Sequence, residues 1–255
     1  MTPSQDPDVN YSIDAAVFIL QINRPEKKNA LTPPMYRALA DGICQADTGD
    51  SIKVILITGT DDCFTSGNDV SVFVSPQDPT SDRPSRAFMT AISQAQKPVI
   101  AAISGVAIGI GTTMLAHCDL VYASEECFLQ MPFSRLGICP ELASSLLFPQ
   151  FMGHQRAAEL LLLGDRFSAE KAREYGLVNE VLPQTEYFSF AMEKARELAA
   201  LPGESIKITK GLMKRALKNE IPGTMDLELK EFSKLLQSPE AQKIMQTFLN
   251  RNNSG

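Results

Sequence analysis

Up to about residue 183, short apolar runs alternate with amphipathic stretches and polar turns. Beyond it only helical periodicity remains. AAVFILQI (15–22), IKVILITG (52–59) and KPVIAAISG (97–105) are β-branched, apolar and bounded by turn residues, so each reads as a buried strand. DLVYASE, CFLQMPF and LVNEVLP read as shorter strands. Residues 32–49, TPPMYRALADGICQADTG, carry apolar side chains at helical spacing behind a Thr32 N-cap and two prolines. RAFMTAISQAQ, IGTTMLAHC, PELASSLLFPQFMG, GHQRAAELLLLG and SAEKAREYG, the last capped by Ser168, are further helices. Strand, strand, helix is therefore the recurring unit.

Two stretches fall outside that rhythm. The first dozen residues are polar and read as loose. Residues 75–85, SPQDPTSDRPS, read as a flexible connection. Past 185 the helical region is punctuated at LPGES and IPGTM, and it carries Lys207, Lys210, Lys214, Arg215 and Lys218. That basic run is either a solvated helix face or a contact to a ligand's phosphates. The pattern gives an α/β class with two parts, residues 1–184 and a helical region over 185–255.

Composition removes several function classes. With 255 residues, 44% of them hydrophobic and 21% charged, the chain can bury a full core without metal or disulfides. A net charge of −6 argues against nucleic acid and anionic membranes as partners. Five cysteines (44, 63, 118, 127 and 139) form no CxxC and read as buried reduced thiols. Two histidines, His117 and His154, are too few for a ready zinc site or Ser-His-Asp triad, and no metal is called. The uncharged stretch 98–118 is long enough to span a bilayer, but Pro98 and three glycines fit a strand, a turn and a buried helix better. No targeting signal is read. The ending RNNSG lacks a Ser-Lys-Leu type address, so a cytoplasmic location is expected and a peroxisomal one is not supported.

One side chain resists a surface reading. In RLGICPELASS (135–145), Glu141 follows Pro140 among Leu136, Ile138, Cys139 and Leu142. It either complements a helix N-terminus or serves as a carboxylate base in an apolar pocket. The residues alone leave both open.

NRPEKKNAL, CFTSGND, KPVIAAISGVAIGIG, CDLVYASEECFLQMPFSRLG and LLLGDRFSAEKAREYGLVNEV follow one another over residues 23–181. In that order and spacing the chain resembles the crotonase (enoyl-CoA hydratase/isomerase) superfamily. The resemblance implies a spiral of repeated ββα units with a C-terminal helical trimerisation region, assembled as a trimer or hexamer. It implies an acyl-CoA thioester as substrate and partner, with no separate cofactor because CoA is part of the substrate. It carries an oxyanion hole onto the backbone N–H groups of Asn68, after Gly67, and Ile110, after Gly109. Many relatives have glycine where Ile110 stands, which an amide donor tolerates. It carries CoA contacts onto Lys27, Lys28 and Ala30, for which an exposed basic turn is the competing reading.

The hydratases of that superfamily use two glutamates, and the matching positions here are Thr113 and the Pro132-Phe133 step. Water activation and carbon protonation both lack their carboxylate. MPFSRLGICPELASSLLFPQFM instead resembles the peroxisomal-type Δ3,Δ2-enoyl-CoA isomerases, which implies that Glu141 is the base and that Phe133 lines the acyl pocket. The implied reaction moves the double bond of a 3-enoyl-CoA to the trans-2 position, as fatty acid β-oxidation requires. A hydratase or dienoyl-CoA isomerase, another acyl-CoA reaction of this superfamily, and a non-catalytic acyl-CoA-binding module are the alternatives.

Overall fold

Val9, Tyr11 and Ile13 alternate with polar residues, and a period of two builds a strand. In the computed structural model, which describes residues 2–74 and 84–252, β1 (Val9–Asp14) pairs antiparallel with β2 (Val17–Ile22). The expectation of a loose first dozen residues is corrected there: pairing with β2 satisfies a strand whose outer positions are polar. The rest of the proline-rich connection lies outside the described residues, except Pro84 and Ser85, which open a helix.

The remaining strands are β3 (Val54–Thr58), β4 (Val99–Ile103), β5 (Val106–Ile108), β6 (Leu120–Ser124), β7 (Phe128–Gln130), β8 (Arg166–Ser168) and β9 (Glu180–Leu182). They form a six-stranded sheet, β1-β2-β3-β4-β6-β9, and a three-stranded one, β5-β7-β8. All pairs in the larger sheet beyond β1/β2 are parallel. β3 and β4 are buried at every position, which is why they read as unbroken apolar runs. The strands β5 and β8 were not legible as such: Val106–Ile108 merges with the uncharged stretch 98–118, and Arg166–Ser168 has a single apolar residue.

The helices are α1 (Pro33–Thr48), α2 (Ser71–Val74), α3 (Pro84–Gln94), α4 (Ile110–Thr113), α5 (Ser144–Met152), α6 (His154–Ala158), α7 (Ala169–Glu174), α8 (Tyr187–Ala200), α9 (Gly203–Lys214), α10 (Glu220–Leu236) and α11 (Pro239–Asn252). Thr32 caps α1 by accepting the Met35 N–H, and Ser168 caps α7 by accepting that of Lys171. IPGTM is not a break between helices. Pro222 sits in the first turn of α10, where a missing N–H leaves nothing unsatisfied. In α8, Tyr187, Ala191, Met192, Ala195 and Ala199 cover one face of the large sheet over Val54, Leu56, Ile100 and Ala102. The other face carries the main core.

The stretch 98–118 divides into β4, β5, α4 and a 3-10 turn, and among the described residues no helix is long and apolar enough to cross a membrane. All five cysteines are free, but Cys44 is exposed, so the expectation of uniformly buried thiols is corrected at that position. Lys210 is buried instead of lining a basic face, paired with Asp119 at 2.6 Å. Lys214 donates to the His117 carbonyl at 3.0 Å.

In the ββα repeat a strand of the large sheet leads through a sharp corner into a segment of a second layer. β4 turns into β5 and β6 into β7, while the segment after β3 reaches the same layer through bridges of Thr65 to Ala107 and Asn68 to Leu31. The β4–β5 corner needs a glycine. Gly105 has φ of 63°, and a Cβ there would lie 1.7 Å from the Asp62 carbonyl oxygen. Gly105→Ala is expected to lower unfolding stability by at least about 1–3 kcal/mol, the scale of local backbone strain, as read by urea denaturation.

Candidate active site

Three successive turns of the repeat end beside one another. After β3, the loop 65–69 is stitched to the loop 24–31: Ser66 N–H donates to the Lys28 carbonyl, Leu31 N–H to that of Gly67 and Asp69 N–H to that of Leu31. Arg24 closes the junction by donating to the Ala30 carbonyl and the Asp69 carboxylate, both at 3.0 Å. After β5, Gly109 leads into α4. A Cβ on Gly67, whose φ is 88°, would lie 2.7 Å from the Ile108 carbonyl oxygen, so this glycine lets the two loops touch.

That contact fixes Asn68 and Ile110 one residue beyond each glycine. Among the described residues, the backbone N–H groups of both find no acceptor. Unpaired amides beside a core are uncommon, and they suit a site that receives an oxygen from outside the protein. Tyr36, buried on α1, donates its hydroxyl to the Asn68 side-chain oxygen at 2.6 Å and so fixes that residue.

Glu141 completes the third turn. The expectation that it opens a helix is corrected, because α5 starts only at Ser144. Between them Leu142 and Ala143 both adopt left-handed conformations, with φ of 60° and 54°. For residues with a Cβ this costs about 1–2 kcal/mol each, so other contacts must hold the turn. His117 donates Nε2–H to the Leu142 carbonyl at 2.8 Å, and the Ser144 N–H and hydroxyl return to the Glu141 carbonyl. Glu228 of α10 accepts from the N–H groups of Ala143 and Ser145.

The Glu141 side chain is 3% exposed, and its Oε1 is buried without a hydrogen-bond partner. Loss of hydration, then the nearby Glu228 carboxylate, raises its pKa from an ordinary 4.5 to about 8. Burial also pushes the Tyr36 hydroxyl well above its ordinary value, with the Glu141 charge adding to the rise. Burial moves His117 down to about 4, so it stays neutral as a donor. The carboxyl group is thus held as an acid near neutrality and becomes a base once the proton leaves.

The other predicted residues fall into two groups. Phe133, Ile110, Ile138 and Leu142 share the main core cluster, and Phe133 is 3% exposed. Thr113 is buried on α4. Lys27 and Lys28 are exposed at a 3-10 turn next to half-buried Ala30, and the Lys28 carbonyl accepts the Ser66 N–H of the 65–69 loop. Sequence reasoning missed Tyr36, His117 and Glu228. The spacing Met225, Glu228, Phe232 on one buried face of α10 was the available signal. Among the described residues, no group of three His, Cys, Asp or Glu side chains is arranged to hold a metal.

Comparison with known proteins agrees with this layout. A family model described as Enoyl-CoA hydratase/isomerase matches residues 12–254. Rat enoyl-CoA delta isomerase 2 is 33% identical over 93% of this chain; the match spans 62% of that relative's length. The 1,2-epoxyphenylacetyl-CoA isomerase of Escherichia coli K12 is 33% identical over 85% of this chain and 84% of its own. The structure of Pseudomonas aeruginosa OdaA superposes with a TM-score of 0.93 at 40% identity, covering 95% of this chain and 99% of that one.

The buried carboxyl makes stability depend on pH. The folded chain holds the Glu141 proton up to about pH 8, whereas the unfolded chain releases it near 4.5. Stability from this group is therefore complete below 4.5, falls as pH rises between the two values, and is level above the upper one. Glu141→Gln lacks that loss. Its stability relative to wild type should rise by about 1.4 kcal/mol per pH unit across the window, as read by denaturation at several pH values.

Proposed function

The chain belongs to the enoyl-CoA hydratase/isomerase family, and within it we propose a Δ3,Δ2-enoyl-CoA isomerase. The buried Glu141 carboxyl with its unpartnered Oε1, joined through Tyr36 to Asn68, supports this reading together with the two amides left without acceptors. Glu141 takes the C2 proton, and the C2–H electron pair enters the thioester as a dienolate. The Asn68 and Ile110 N–H groups stabilise the oxyanion. The dienolate then collects the same proton at C4, leaving the double bond between C2 and C3. No redox change accompanies the shift, so CoA enters and leaves as part of the substrate.

A single carboxyl supports isomerisation better than hydration. Thr113 and Phe133 stand where two further carboxylates would be needed, and apolar Phe133 discourages a bound water. Lys27, Lys28 and Ala30 are proposed CoA contacts on the rim of the site. A second reading draws on the E. coli relative named for 1,2-epoxyphenylacetyl-CoA: the same base and amides serving another acyl-CoA isomerisation.

For the assembly we propose a trimer, or a pair of trimers. Ile208, Leu212 and Met213 of α9 are 60%, 64% and 75% exposed, an apolar face that a second copy would cover. Light scattering should give three or six chains at micromolar concentration; a monomer would refute this.

The function is tested by assaying 3-hexenoyl-CoA and crotonyl-CoA side by side. Isomerisation should exceed hydration by at least about 100-fold, the lower end of what a positioned acid or base contributes. Turnover of a ring-substituted acyl-CoA alone would favour the second reading. Glu141→Gln should reduce kcat by about 10²–10⁴ with little change in substrate affinity. The wild-type kcat/KM should rise with pH through a midpoint near 8, where the base loses its proton.

A further inference from the structure

Glu228 is a buried carboxylate that the proton transfer does not use. It is 6% exposed and, among the described residues, forms no ion pair. Among the described residues, the hydrogen bonds of its carboxylate all run to one short segment. Oε2 accepts the Ala143 N–H at 2.6 Å, and Oε1 accepts the Ser145 N–H at 3.0 Å and the Ser145 hydroxyl at 2.5 Å. That segment contains the left-handed pair Leu142–Ala143 immediately after Glu141. Two residues with side chains take that conformation only where their backbone groups are otherwise satisfied. His117 holds the Leu142 carbonyl, and Glu228 holds the Ala143 amide together with that of Ser145 just beyond the pair.

We propose that Glu228 is the positioning residue for Glu141, fixing the turn that presents the Glu141 carboxyl to the site with no donor on Oε1. Burial raises the Glu228 pKa, which the bonds from Ser145 and Ala143 oppose, and once ionised its charge disfavours ionisation of Glu141. Other groups around the turn are Tyr36 from α1, Cys139 from the loop and His117 from the turn after α4. Glu231 of α10 and, beyond His117, Lys210 and Lys214 of α9 complete the set. Burial pushes Cys139 up to about 11 and His117 down to about 4, so neither titrates near pH 8.

The kinetic part of the test rests on the isomerase reading; an infrared part does not. In Glu228→Gln, an amide nitrogen must face one of the backbone N–H groups, and the charge is gone. With 3-hexenoyl-CoA this variant should lose at least about tenfold in kcat with KM nearly unchanged, while the midpoint of kcat/KM moves to lower pH. Glu228→Asp keeps the charge but draws it back by one methylene, so kcat should fall and the midpoint should stay. Independently of turnover, the protonated-carboxyl infrared band that Glu141→Gln abolishes should titrate at lower pH in Glu228→Gln than in wild type.

Wild-type kcat in both variants, with an unmoved infrared midpoint, would overturn the proposal. So would a Glu228→Gln variant that is merely less stable, with kcat and both midpoints as in wild type. If Glu228→Gln does not fold, Ser145→Ala, which removes one donor to Oε1, decides: kcat lower by about threefold or more at constant KM supports the proposal, and unchanged kcat overturns it. A wild type that isomerises no 3-enoyl-CoA would refute the isomerase reading and leave the infrared comparison to judge Glu228.

Discussion

Taking a carboxyl group out of water without giving it a hydrogen bond is the constraint around which this site is built. Oε1 of Glu141 has neither solvent nor a protein donor. An ionised carboxylate in that position is strongly disfavoured, so the group keeps its proton to higher pH. Such a group is useful only if it cannot turn aside and find a donor. The backbone on either side is accordingly tied down: Glu141's own carbonyl by Ser144, that of Leu142 by His117, and the amides of Ala143 and Ser145 by Glu228. Secondary structure alone could not do this, because the segment lies ahead of α5 in left-handed conformations.

The amides of Asn68 and Ile110 follow from the architecture. Each ββα turn leaves the large sheet at a corner and enters the second layer, so the loops after β3 and β5 lie against one another. Close approach of backbones requires Gly67, and it leaves the next N–H groups unpaired. Donors held by the main chain need no rearrangement when charge develops on an oxygen. In the proposed reaction rigidity comes from the fold, and chemical selectivity from the side chains the next turn brings, Glu141 with Thr113 and Phe133.

Much of this was legible in the sequence. The buried parallel strands announced themselves through unbroken apolar runs, as in VILIT, and the caps at Thr32 and Ser168 marked helix starts correctly. The strand β5 escaped because it merges with a longer apolar stretch, and β8 because it offers a single apolar residue. β1 escaped because its polar positions outweighed Val9 and Tyr11 in a reading by composition. Glu141 stood out through its apolar neighbours, but the turn that presents it did not. Leu-Ala is a poor left-handed sequence, and what stabilises it lies more than eighty residues away at Glu228. Long-range polar contacts of that kind leave only a faint mark, an acid on the buried face of α10.

The proposed isomerisation requires one buried carboxyl to carry the proton from C2 to C4. Isomerising 3-hexenoyl-CoA deuterated at C2 in ordinary water and locating the label in the product tests this most directly. Shielded from solvent, Glu141 should return a measurable fraction of the deuterium to C4. Complete washout of the label at every stage of the reaction, with none at C4, would mean that solvent or a second residue supplies that proton and would contradict the claim.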